Sequence, residues 1–464
     1  MGGGPTVEPA CGRDPSRPNG SLCGRGRGGQ GGGGGAMTDQ TQPTRVLPLE
    51  GIRVLDLGMF WAGPLAGKWL GDAGAQVIKI ESASHPDNLR ILARDVYPAG
   101  DPGTRPWNRS GMINERNRNK LGLALEMGTA EGRDVFRELV AVSDVVIHNF
   151  STRVLRAWGL DYDALRTINP QIILASIFSQ GGDGPESTFV SFGGTLEQLG
   201  GLTYLSGYPG EMPGVVTLQL PDPLGGAMAA GLIVAALRQR RLRGEGTHID
   251  FSQRENVTSL LGDVLIDYQV NGRIAAAQGN RDPHMAPHGV YRCAGEDAWV
   301  TIAVRDDHDW ANLCRAVGRP ELQHDIRFAT VAARHQHHDE ADEAINAWTA
   351  RLDKQEAMEA LQRWGVPAGA VNTSADLYAD AHLRERAYWE AVEDPDAGPH
   401  LYPGRPFRLS RSPLSTRFPT PMLGQHNTFV LREILGKTDD EIRALVERGT
   451  VAVEPTDQAR RGNL

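Results

Sequence analysis

An alternation of short apolar runs with helically spaced segments constrains this chain more than any other feature. Gly51-Ile-Arg-Val-Leu-Asp-Leu57 is a largely apolar run followed by Gly58, and it reads as a buried strand. From Pro64 to Gly74 the residues Leu65, Trp69, Leu70 and Ala73 share a helical face, and Pro64 suits a first helical turn. Gln76-Val-Ile-Lys-Ile80 is the next strand, so the unit is βαβ and its strands must be parallel. The alternation continues with a helix over 129–142, striped by Val135, Phe136 and Leu139, and a strand over 144–148. A short helix over 162–168 and a strand over 171–177 complete it. This order predicts a doubly wound α/β sheet.

The first strand-to-helix turn, Gly58-Met-Phe-Trp-Ala-Gly-Pro64, lacks the GxGxxG phosphate cradle, which argues against a nicotinamide dehydrogenase. Glu81 stands where such enzymes carry a ribose-binding acid, but it reads as a solvated strand end. From about residue 290 the texture changes. His288 to Cys293 and Ala298 to Ala303 look like strands paired about Gly295-Glu-Asp297, and helical stretches follow near 308–317 and 338–364. Leu423 to Glu447 returns to helix.

A chain of 464 residues exceeds the usual single-domain size. A net charge of −9 argues against a nucleic-acid partner, which requires basic excess. The longest apolar run, Gly231 to Leu237, is too short to cross a bilayer. Cys11, Cys23, Cys293 and Cys314 form neither a disulfide framework nor a zinc-type spacing, which fits a reducing, cytoplasmic setting. Residues 1–46 are glycine-rich and read as a disordered extension, with Met37 as a candidate physiological start.

Gln219-Leu-Pro-Asp222-Pro-Leu-Gly-Gly226 precedes an apolar helix over 227–237. Asp222 sits where an N-cap belongs, with Pro223 in the first helical position. Two readings stand. One is a capping aspartate. The other is a carboxylate nucleophile held ionised by a helix N-terminus, with Gly225 and Gly226 admitting a bulky ligand close to the backbone.

Several segments in order resemble family III CoA-transferases, the group that includes formyl-CoA transferase, carnitine CoA-transferase and α-methylacyl-CoA racemase. They are Leu49 to Asp56, Ala62-Gly-Pro64, Gly74 to Glu81, Asn119-Lys120, Asn149-Phe150, Leu160 to Leu165, Asn169-Pro170, Gly184-Pro185, Gly200 to Leu202, Asp222, Gly244 to Asp250 and Leu423 to His426. The resemblance covers about 47–452. It implies that Asp222 is the catalytic aspartate. Asp222 would attack an acyl-CoA to give a mixed anhydride and then carry CoA as a thioester, with coenzyme A as substrate and no tightly bound cofactor or metal. It also implies a Rossmann-like large domain built from both chain ends (47–255 and 395–452), a smaller α+β domain (280–375), linkers at 256–279 and 376–394, and an interlocked dimer.

The expected CoA contacts are Trp61, Ala62, Leu125, Asn149, Phe150 and Trp158, with Arg90, Lys120, Arg153 and Arg156 as candidate phosphate partners. Several positions depart from the family's pattern. Met59, Ser82, Ala157, Gly128 and Val190 replace polar or basic contacts. Phe192 and Gly193 fall where racemases carry a base and transferases an acid, so α-proton transfer loses one of its two bases. Glu197, one turn further on, is the candidate second acid. No glycine loop lies at Gly279 to His288, where His284 and His288 are candidates to line the cleft. Met59, Trp61, Phe178, Phe189 and Phe192 hint at an apolar substrate. The alternatives are a CoA-thioester racemase and a non-catalytic subunit paired with a paralogue.

Overall fold

The computed structural model describes residues 46–91, 96–214 and 219–461. The glycine-rich extension and the Met37 start lie outside the described residues. Six strands, β1 (Arg53–Asp56), β2 (Gln76–Glu81), β3 (Lys120–Ala124), β4 (Val145–His148), β5 (Ile173–Phe178) and β6 (Thr247–Ser252), form one sheet in the order β3-β2-β1-β4-β5-β6. Every neighbouring pair is parallel. β4 and β5 are buried along their whole length, as central parallel strands covered on both faces must be.

The helices that matter for the site are α1 (Ala62–Asp72), α2 (Gly111–Arg116), α3 (Ala130–Ala141), α4 (Thr152–Trp158), α5 (Gly193–Leu199) and α6 (Pro221–Arg243). α3 begins where Thr129 caps it by accepting from Gly132 N, and it buries Val135, Phe136 and Leu139 in one apolar layer. On the other face of the sheet, α1 and α6 pack together over Val54, Ile147, Ile173 and Ala175.

Two strands of this sheet went unread in the sequence. β3 is five residues long and interrupted by Gly122, against which Pro421 packs too closely for a side chain. β6 alternates in exposure at the sheet edge. The free edge of β3 is covered by the C-terminal segment: His426 Nδ1 accepts from Gly122 N at 3.0 Å and Asn427 Oδ1 from Ala124 N at 2.9 Å.

A second, antiparallel sheet joins β7 (His288–Arg292), β8 (Trp299–Ala303) and β9 (Ala368–Ala370). β7 and β8 pair about the Gly295 to Asp297 turn, as their alternation predicts. Their core draws on residues 291–366, with helices Asp307–Ala316, His338–Thr349 and Lys354–Arg363 around it. A hairpin of β10 (Trp389–Asp394) and β11 (Gly398–Pro403) completes the strands. No described helix is long and apolar enough to cross a membrane.

Candidate active site

In an open parallel sheet, ligands bind beyond the strand carboxyl ends where the order reverses, here between β1 and β4. A cavity of about 600 Å³ occupies that position. It is lined by Met59, Phe60 and Trp61 after β1, by Asn149 to Thr152 after β4, by Phe178 and Ser179 at the end of β5, and by Asp222.

Buried charges shape the turn after β1. Asp56 Oδ1 accepts from Gly58 N at 2.8 Å, and Asp87 Oδ1 accepts from Phe60 N at 3.1 Å. Lys79 Nζ donates to Gly58 O and to Asp87. Asn149 bridges the switch point: its Oδ1 accepts from Met59 N and its Nδ2 donates to Met59 O, both at 2.8 Å. Phe60 is thereby held at φ +61°, a left-handed conformation costly for an aromatic residue. A Cβ on Gly58 would lie 2.7 Å from Gly63, so only glycine fits there.

Trp61, Asn149 and Phe150 line the cavity with Asp222. Ala62 and Leu125 are fully enclosed, Ala62 in the α1–α6 contact and Leu125 in the α3 core, so neither offers surface to a ligand. Arg90 and Lys120 also require correction as phosphate partners. Arg90 forks onto Glu81 with two bonds of 2.8 Å, and both side chains are buried. Burial opposes ionisation of Glu81, but Arg90 holds its pKa down to about 2, so Glu81 is not the solvated acid its strand-end position suggests. Lys120 Nζ donates to Asp56, Pro64 O and Asn117, each at 2.7 Å. Burial brings its pKa down to about 8 against the pull of Asp56. Arg153 and Arg156 are exposed on α4, and Trp158 packs edge-on against Phe150 at 5.7 Å.

Asp222 differs from expectation in its backbone setting. α6 starts at Pro221, so Asp222 is the second helical residue rather than the cap. Pro221 and Pro223 have no N–H, while Asp222 N and Leu224 N already donate to Gln219 O and Leu220 O. The first turn therefore presents no spare amide to the carboxylate. Instead the carboxylate lies over Gly193, where a Cβ would come within 2.6 Å of Oδ2. A side chain at 193, acidic or otherwise, would collide with Asp222. Burial pushes the Asp222 pKa up to about 6; Arg116 pulls it back and Glu197 adds to the rise.

Glu197 is completely buried and accepts from Leu220 N at 2.8 Å, so it anchors the residue before α6 rather than capping an exposed helix start. Gly225 and Gly226 serve packing, not ligand approach. Gly225 faces Gln253 and Phe251, and Gly226 faces the Ala62 carbonyl and Leu65. His284 and His288 lie outside the cavity; His288 belongs to β7 and bonds Asn280 O through Nδ1.

Arg116 is the site residue that sequence reasoning missed. It ends α2, stacks 4.0 Å from the Trp61 ring centroid and lines the cavity. Nothing in Met112-Ile-Asn-Glu-Arg116 distinguishes it from its basic neighbours Arg118 and Lys120. A second nucleophile candidate, Ser176, sits between His148 and His248 at 2.7 and 2.9 Å. It is buried within β5, and burial drives the His148 pKa down to about 3, so this trio is structural.

The fold and the site together define an α/β enzyme with a carboxylate poised in a switch-point crevice. The chain belongs to CoA-transferase family III, whose sequence profile matches residues 49–427, and it is a CoA-transferase. It is 34% identical over 409 residues to a succinyl-CoA–D-citramalate CoA-transferase of Chloroflexus aurantiacus, covering 88% of this chain and 98% of that one. It is 33% identical over 407 residues to the beta subunit of a succinyl-CoA–L-malate CoA-transferase of the same organism, covering 87% and 98%. Among solved structures it superimposes on a CAIB/BAIF family protein from Brucella suis with a TM-score of 0.75, 31% identity and coverage of 84% and 99%.

Proposed function

We propose that the chain transfers coenzyme A between an acyl-CoA and a free carboxylic acid through covalent intermediates on Asp222. The observation that carries this reading is the Asp222 carboxylate itself: it lines the cavity, half-buried, and burial rather than hydrogen bonding sets its basicity. A desolvated carboxylate is a stronger nucleophile than a hydrated one, and with a pKa near 6 it remains mainly ionised at neutral pH.

In the first step an Asp222 oxygen adds to the thioester carbonyl, the C–S bond breaks, and CoA leaves as thiolate. The thiolate adds to the aspartyl carbonyl of the resulting anhydride and expels the donor acid as a carboxylate. Asp222 then holds CoA as a thioester. The acceptor carboxylate reverses both steps, so no net proton is consumed. Arg116 supports the anionic transition states through its charge beside Asp222. Glu197 acts as a positioning residue through Leu220.

α4 begins at Thr152, which lines the cavity; on this helix the exposed Arg153 and Arg156 suit the CoA phosphates and Trp158, packed against Phe150, the base. The two sheets and their separate cores support a large domain over 47–255 and 395–452 and a small domain over 280–375. α6 exposes Met228, Leu232, Val234 and Leu242, and the helix Gly262–Asn271 exposes Leu265, Ile266, Tyr268 and Val270, which supports an intertwined dimer. Pairing with a paralogue is the second reading, favoured by the beta-subunit relative. Light scattering of the purified chain distinguishes a self-dimer from a monomer awaiting its partner.

The test of the chemistry is mass spectrometry after incubation with a panel of acyl-CoAs and hydroxylamine. A hydroxamate on the peptide holding Asp222 is expected. Turnover without modification of that peptide, or full activity in Asp222→Ala, overturns the mechanism.

A further inference from the structure

Phe60 lines the crevice in a backbone conformation that an aromatic residue disfavours, with φ at +61°. Asp87 and Asn149 impose that turn by accepting from Phe60 N and Met59 N. The ring so placed meets Phe192 edge to face at 5.6 Å. Phe192 precedes Gly193, the residue on which the Asp222 carboxylate rests. The ring pair therefore stands beside the nucleophile at the start of α5, whereas the CoA groups are placed along α4. Phe192 and Phe189 line this cavity yet are 60% and 57% exposed, which leaves apolar surface for a ligand to cover.

Resting on the reading of Asp222 as the nucleophile, we propose that Phe60 and Phe192 select the acyl group, and that the acid transferred is a monocarboxylic acid carrying an aryl ring near its carboxyl. The polar side chains among these walls are largely committed elsewhere. Asn149 is spent on both sides of Met59. Ser179 donates to Phe189 O at 3.3 Å, and Ser191 accepts from Gln180 at 2.9 Å. Among the described lining residues Arg116 is the only cation, and Glu115, Asp87 and Asp222 already act on it. A second carboxylate in the acyl group would be desolvated among rings with no cation of its own. A ring, rather than an aliphatic body, follows from the edge-to-face pair, which offers a ring face and a ring edge to a third aromatic group.

The test uses thioesters that share the pantetheine arm and differ in the acyl group: 3-phenylpropanoyl-CoA, 3-cyclohexylpropanoyl-CoA and succinyl-CoA. Their affinities for the Asp222→Asn protein are measured by calorimetry, so the inference is judged even if the covalent mechanism fails. Acceptor kcat/KM for the matching free acids is measured on the wild type with whichever acyl-CoA modifies Asp222. In both assays the phenyl compound is expected to exceed the succinyl one by on the order of 100-fold, and the cyclohexyl one by about 3–10-fold. Phe60→Gly suits the left-handed turn and Phe192→Ala removes an exposed ring, so both variants should fold, as circular dichroism checks. Each should cut the preference for phenyl over succinyl by about 10-fold. A preference that survives unchanged in both variants overturns the assignment of the two rings. Succinyl-CoA matching 3-phenylpropanoyl-CoA overturns the substrate class, and the cyclohexyl compound matching it overturns the aryl ring. Failure of every thioester to bind overturns the coenzyme A reading and this inference with it. Normal modification of Asp222 together with a preference for succinyl-CoA leaves the transferase reading standing and refutes this inference alone.

Discussion

Two sets of buried charges lie within a few residues of each other and behave in opposite ways. Beneath the crevice, Lys120 with Asp56, Arg90 with Glu81, Arg118 with Asp72 and Lys79 with Asp87 pair at 2.7–3.1 Å, and Lys120 and Arg90 add further hydrogen bonds. In the crevice, Asp222 and Arg116 sense each other but form no ion pair. Paired charges hold the β1–α1 turn in its left-handed shape. Unpaired ones retain the basicity and the attraction for anions that a reaction needs. The lesson is that burial alone does not mark a functional charge; burial without a partner does.

The sharpest way to break the contrast is at Asp222. Asp222→Ala is expected to lower turnover by about 10⁴-fold or more, read from steady-state rates. Asp222→Asn should at the same time stabilise the protein at pH 7.5 by on the order of 2 kcal/mol. The sign follows from linkage. The folded pKa of about 6 lies above the ordinary value of an unfolded aspartate. The favourable contribution is therefore complete at acid pH below the unfolded value and is lost as pH rises through 6. Denaturant curves at pH 5 and pH 7.5 should show a gain at both, clearly larger at the higher pH.

The paired set should respond with the other sign. Lys120→Met leaves Asp56 buried and uncompensated, at a cost of about 3–5 kcal/mol. Adding Asp56→Asn should recover part of that loss, measured by the same denaturant curves. A Lys120→Met protein of wild-type stability would erase the distinction between the two sets.

Smaller effects sharpen the crevice itself. Gly193→Ala puts a methyl 2.6 Å from both the Asp222 carboxylate and Gln219 Cβ and should lower kcat by about 10–100-fold, checked by rates, with circular dichroism reading any accompanying change in fold. The acid limb of the kcat/KM profile should fall near pH 6, and Arg116→Gln, by removing a charge that holds Asp222 down, should move it upward by up to about one unit. A downward shift would mean that Arg116 does not act on Asp222.

Much of the scaffold was legible in the chain. The βαβ alternation through 51–80 and 129–177 appears in the structure as β1, α1, β2, α3, β4 and β5, because apolar periodicity is a local record of which face is buried. β3 and β6 escaped because a five-residue strand bearing Lys120 and Gly122, and an edge strand with mixed exposure, carry no such record. Trp61, Asn149, Phe150 and Asp222 were legible through the resemblance and meet at one cavity. Arg90 and Lys120 were misread because a cation written in sequence does not disclose whether an anion waits 2.8 Å away.

The sequence by itself determined the parallel sheet and the presence of an aspartate beside a glycine-rich helix start. These depend on contacts between residues close in the chain or on a repeating pattern. Tertiary structure alone decided which charges are neutralised and which are left exposed to a ligand. Gly193 under Asp222, Trp61 against Arg116 and Asp56 against Lys120 bring together residues 29, 55 and 64 positions apart. Electrostatic energy falls off with distance in space, not along the chain, so no local reading could have assigned them.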